Sequence, residues 1–104
     1  MSATGTATLD FGAFPGAGDC NVAVSGQTAI QSGALVEAWL LPTATSDHSA
    51  DEHVLANDVI SVIAGNVVAG TGFTIYGLNA ATTEPVLGDS PVIYGQWIVG
   101  WAWL

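Results

Sequence analysis

The stretch Gln96-Trp97-Ile98-Val99-Gly100-Trp101-Ala102-Trp103-Leu104 decides the fold. Trp97, Val99, Trp101 and Trp103 fall on one parity, and Ile98, Gly100, Ala102 and Leu104 fall on the other. Side chains alternate across a β-strand with period two, so this is a strand with one face of large rings and one of mostly small groups. We read it over residues 92–104. Each indole buries on the order of 200 Å² and needs a deep partner surface, which places this strand in the centre of a sheet under a second layer.

Upstream, short apolar or alternating runs are separated by clusters of Gly, Pro, Asp, Asn and Ser, the punctuation of an antiparallel β domain. The first predicted strand covers residues 4–11, with Ala7, Leu9 and Phe11 on one face, and a turn follows over residues 14–19. Residues 21–25 form a short second strand and residues 26–33 a polar connection. Residues 34–41 are apolar on both faces apart from Glu37, as expected of a strand covered on two sides, and Pro42 ends it because proline cannot donate to a ladder. Two more strands, 58–64 and 72–77, are joined by the Gly- and Asn-rich connection 65–71, with Phe73 and Ile75 toward the core. The fold class is all-β: a six-stranded antiparallel β-sandwich, one domain over residues 1–104.

Composition limits what such a domain can touch. Lys and Arg are absent, nine acids give a net charge of −9, and half of the residues are apolar. Only His48, His53 and the amino terminus can carry positive charge, so burial is the main stabiliser. Nucleic acid and anionic membrane surfaces are excluded as partners, since both are held by cations. Residues 1–6 have neither the positive charge nor the apolar run of a secretory signal. The most apolar stretch, residues 54–70, is broken by Asn57, Asp58, Gly65 and Asn66, so no membrane span is expected. Cys20 is the single cysteine, read as a small hydrophobe with no internal disulfide.

If the Trp row fills the core, Ile98 and Leu104 point outward; if it faces outward, the exposed patch itself marks an interface. With no Lys to guard the edge strands, symmetric self-association is the expected way to cover that surface.

One cluster invites a chemical reading: Asp47-His48-Ser49-Ala50-Asp51-Glu52-His53. Ser49 followed by Glu52 fits a capping box, so a helical turn starts at Ala50 and brings His48 near Glu52. Imidazole and carboxylate suit zinc or another divalent ion, which makes His48, Glu52 and His53 the candidate metal ligands. The histidines are five apart, about 140° around a helix, a poor spacing for one ion. The competing readings are a solvated acidic loop between the third and fourth strands, or a pH-responsive subunit contact. No Gly-x-Ser-x-Gly elbow, phosphate-cradling Gly-rich loop with a Lys, or singled-out carboxylate pair is present, so the chain is not expected to be an enzyme and no cofactor beyond such an ion is implied.

The segment Ala64-Gly65-Asn66-Val67-Val68-Ala69-Gly70-Thr71-Gly72-Phe73-Thr74-Ile75-Tyr76-Gly77, the terminal Gln96 to Trp103 run and the cluster at 47–53 resemble small proteins of tailed-bacteriophage genomes. The order of a Phe-containing first turn, a Gly-Phe-Thr-Ile strand and a terminal Trp strand is similar to H-type lectin domains, six-stranded sandwiches that trimerise. The first resemblance implies a virion structural protein, made in the host cytoplasm and incorporated into the particle: a capsid decoration protein, or a small tail or fibre component. Its partners would be copies of itself, as a homotrimer, and other virion proteins such as the major capsid protein. The alternative is a carbohydrate-binding module for glycans, with Trp39, Tyr76 or Tyr94 as an aromatic platform beside Asn79, Asp89 or Gln96.

Overall fold

The computed structural model describes residues 2–14, 16–57, 59–79 and 93–104. In chain order its elements are β1 (Ala3–Asp10), β2 (Asp19–Val24), β3 (Val36–Leu40), α1 (Ala50–Ala56), β4 (Ile60–Val68), β5 (Gly72–Asn79) and β6 (Gln96–Trp103). They make two three-stranded sheets, in the orders β1-β6-β3 and β2-β5-β4, antiparallel throughout. Pro15 of the first turn, Asp58 and Val92 as strand starts, and Asp89 of the polar set lie outside the described residues.

The parity of the terminal run is realised. Trp97, Val99, Trp101 and Trp103 are buried, and β6 is the central strand of its sheet. Their cross-strand partners share the inward face: Leu9, Ala7, Gly5 and Ala3 on β1, and Leu40, Ala38 and Val36 on β3. Gly5 lies opposite Trp101, and a Cβ there would come within 2.7 Å of the indole Cε2, so the missing side chain is the slot for the ring.

The second sheet closes the core from the other side with Val24, Phe73 and Ile75. Phe73 meets Trp101 edge-on, with centroids 5.5 Å apart and planes at 77°, the arrangement favoured by ring quadrupoles. Leu9 and Phe11 reach across to the bare backbone of Gly77. The indole N–H groups of Trp97 and Trp103 donate to the Tyr94 carbonyl and to Gln27 Oε1, so two rings enter the core without stranding a donor.

Cys20 faces inward from β2, opposite Gly77. Burial, then the fields of Asp10 and Asp19, push its thiol up to about 11. Labelling by a disulfide reagent at pH 7.5 is therefore expected on the order of a hundredfold slower than in the urea-unfolded chain, because the thiolate is the reactive form. Equal rates would show that Cys20 lies outside the core.

Two expectations are corrected. Residues 34–41 do not form a strand covered on both faces: β3 is an edge strand, alternating half-buried and exposed residues, with Trp39 42% and Leu35 70% exposed. The connection expected over residues 65–71 is largely strand, because β4 runs to Val68 through a register irregularity between Gly65 and Val68. Asn66 there has φ 54°, a conformation Asn tolerates, and the extra residues of a bulge absorb what reads in the sequence as loop.

Candidate functional site

The cluster at 47–53 folds as its capping residues dictate. Ser49 is the N-cap of α1: its hydroxyl accepts from the Glu52 N–H at 3.1 Å, and the Glu52 carboxylate accepts from the Ser49 N–H at 2.9 Å. The same turn brings Glu52 Oε2 to 3.1 Å from His48 Nδ1, the approach expected from the sequence.

What this builds is the continuation of a β-ladder by side chains. On the β3 side of β6, backbone pairing ends with Leu40 opposite Val99 and a last bond from the Leu41 N–H to the Ile98 carbonyl. Beyond that point the cluster supplies the partners. The Ile98 N–H donates to His53 Nε2 at 3.1 Å, the Gln96 N–H to both Asp47 carboxylate oxygens at 3.1 and 3.2 Å, and the Thr45 hydroxyl shares its one proton between the Gln96 carbonyl and Asp47 Oδ1, each at 2.9 Å. His48 Nε2 completes the series at 2.7 Å from the Tyr94 carbonyl. Four side chains thus stand in for a strand where Pro42 has stopped one.

The two rings are held in different hydrogen-bonding roles. His53, 1% exposed, donates from Nδ1 to the Ser49 carbonyl and accepts at Nε2, which requires one proton on the ring. His48 faces an acceptor on each side, the Glu52 carboxylate and the Tyr94 carbonyl, and both bonds are satisfied together only by the imidazolium. Its ring stacks on Trp97 at 3.8 Å and 17°, with Tyr94 at 4.9 Å.

The carboxylates respond accordingly. Glu52 is held below the usual carboxylate range by the Ser49 N–H first and then by His48. At Asp47 partial desolvation works upward, and the Thr45 hydroxyl, the Gln96 N–H and the field of His48 outweigh it to lower the pKa. A carboxyl whose pKa is lower folded than unfolded adds stability above its unfolded pKa and loses it as the pH falls through the folded value. Acidification below about pH 4 is therefore expected to lower the melting temperature more steeply for the wild type than for an Asp47→Asn/Glu52→Gln variant, the two curves drawing together as the pH falls through the folded-state values. Curves that stay parallel would show that these bonds do not form in solution.

The candidate metal ligands are placed as follows: His48 and Glu52 meet as a hydrogen-bonded pair, and His53 uses its lone-pair nitrogen on the Ile98 N–H. Among the described residues no three His, Cys, Asp or Glu side chains converge as a metal-binding group.

The three aromatics offered as alternative platforms lie in three different places. Trp39 lies on the outer face of the β1-β6-β3 sheet, over Gly100, whose Cβ would come within 2.8 Å of the indole. Tyr76 points outward from the opposite sheet beside Asn21 and Ile63, and Tyr94 packs edge-on against Phe14 ahead of β6. Asn79 is buried and Gln96 exposed.

No protein-family model, curated protein or solved structure matches the chain. Among the described residues no helix is long and apolar enough to cross a membrane.

Proposed function

We propose that this chain is a structural component of a bacteriophage virion, a capsid decoration protein or small tail or fibre part, that works through homotrimeric assembly of an H-type-lectin-like sandwich. The observation that carries the assembly reading is exposed apolar surface on a chain that has no cation to solvate or guard it. With the Trp row turned inward, Leu104 is 72% and Leu35 70% exposed side by side at one end of a sheet, joined by a mutual pair of backbone bonds. Clustered apolar side chains of this size mark interaction surfaces. The virion part of the reading is supported by the sequence resemblance of residues 64–77 and 96–103. A part displayed in many copies gains from stability supplied by its interfaces, and an acidic remainder limits non-specific association.

Size-exclusion chromatography with light scattering is expected to give a mass near three times the 10.5 kDa of one chain. A single-chain mass at micromolar concentration overturns the assembly reading. Mass spectrometry of purified particles from a phage carrying the gene tests the virion reading, which fails if the chain is absent from them.

A further inference from the structure

Residues 43–57 are tied to themselves far more than to the rest of the molecule. Among the described residues, every backbone–backbone hydrogen bond that this segment makes ends within residues 41–59. Its side chains add internal bonds: Thr45 to Asp47, the Ser49 and Glu52 capping box, Glu52 to His48, and His53 to the Ser49 carbonyl. The side chains that reach out of the segment, Thr45, Asp47, His48 and His53, are thus all members of one small network.

Attachment to the sandwich is narrow. It consists of side-chain bonds to the Tyr94 carbonyl, to both backbone groups of Gln96 and to the Ile98 N–H, together with the two imidazoles against Trp97. Of α1 only His53 and Ala56 are buried, while Val54 is 59% and Leu55 75% exposed. On either flank the described residues leave an open depression, ≈ 240 Å³ beside Ala56, Ile60 and Tyr94 and ≈ 200 Å³ beside Leu40, Pro42 and Val54. A helix of seven residues is marginal in water by itself, so α1 cannot stay folded once it leaves this seat.

The rest of the same edge of β6 is held differently. The mutual bonds of Leu35 and Leu104 set the phase of the antiparallel ladder, so Trp39 with Gly100 and Glu37 with Ala102 are backbone-bonded pairs. In that phase Leu41 and Ile98 come next, and the Leu41 N–H does donate to the Ile98 carbonyl. The Ile98 N–H donates to His53 instead. The ladder changes from backbone to side-chain partners at this residue, and a break there leaves both sheets paired.

We infer that residues 43–57 are a latch, which docks on and lifts off the start of β6 as one unit while the sandwich stays folded. Segments held by few apolar contacts and no backbone ladder open at lower free energy than the core around them. Lifting bares the N–H groups of Gln96 and Ile98, the Gln96 carbonyl and the face of Trp97 under His48, so a covered strand edge becomes an open one. The latch belongs to one chain and operates whether or not copies associate.

Native-state hydrogen exchange, followed by NMR at constant neutral pH, tests it with two mild variants. In the wild type, once corrected for intrinsic rates, the Gln96 and Ile98 amides are expected to exchange at least about tenfold faster than those of Gly100 and Ala102 on the same edge. The Ser49 side chain bonds only inside the segment, so Ser49→Ala removes the cap of α1 and is expected to speed Gln96 and Ile98 about fivefold. Ile75→Val trims the core in the other sheet, which stays intact when the latch lifts. It is expected to speed the slowest amides of the sandwich about fivefold and to leave Gln96 and Ile98 unchanged. Gln96 and Ile98 amides that exchange as slowly as Gly100 and Ala102, that ignore Ser49→Ala, or that follow Ile75→Val overturn the latch.

Discussion

Replacing Trp97 by alanine is expected to cost about 4 kcal/mol, within the range for truncating a buried aromatic. The ring is 5% exposed and fills the inward face of β6 between Leu9 and the cluster at 47–53. It is also the surface on which His48 stacks and against which His53 packs at 4.8 Å. Alanine would leave a cavity beside two buried imidazoles and remove the indole N–H from the Tyr94 carbonyl. A domain of this size is stabilised by roughly 5–15 kcal/mol, so such a loss shifts the melting temperature by about 20 °C. Trp97→Phe keeps a ring under His48 and is expected to lose about half as much. Calorimetry at fixed protein concentration checks both, since assembly makes melting concentration-dependent. A loss below about 1 kcal/mol for alanine would contradict an inward Trp row.

Gly95→Ala is expected to cost about 3 kcal/mol through a different mechanism. Gly95 has φ +81°, a conformation that costs an L-residue with a side chain about 1–2 kcal/mol. Its backbone is held on both sides, donating to the Gly12 carbonyl at 2.7 Å and accepting from the Phe11 N–H at 2.9 Å, so it cannot move aside. An added Cβ would sit 2.6 Å from His48 Nε2 and 2.9 Å from Asp47 Cγ, the two groups that bind the Tyr94 carbonyl and the Gln96 N–H. Displacing them strands polar groups at the entry to β6, at about 1–3 kcal/mol. Gly33→Ala, where a Cβ meets nothing within 4 Å, is the control and is expected to be neutral. Equal melting temperatures for the two variants would show that the side-chain ladder does not form.

Much of the architecture was legible because β-periodicity is local. The parity of residues 97–103 put the Trp row on one face of β6, and rings of that size demanded a partner surface. Ser49 and Glu52 announced α1 because a capping box is closed within four residues. The boundaries were less legible where a bulge intervened: Asn66 reads as a turn residue, and its ladder partner lies on another strand.

The candidate site was half legible. The pairing of His48 with Glu52 follows from helical spacing, but the partners that settle each ring's protons are Tyr94 and Ile98, 46 and 45 residues away. One signal was present and unread: the strand ending in Trp103 is longer than the strand that Pro42 cuts short, so something else has to pair its first residues.

By itself the sequence determined that this is a β protein whose terminal strand carries its Trp row on one face, no salt bridges to Lys or Arg, and a capped helical turn inside an acidic loop, because each follows from composition or from spacing of a few residues. Only the tertiary structure decided that the acidic loop completes a ladder, that β3 is an edge with Trp39 uncovered, and that Thr4 and Glu37 flank the same residue of β6. Those outcomes depend on which strand lies beside which, a matter of long-range hydrogen-bond register that no local pattern encodes.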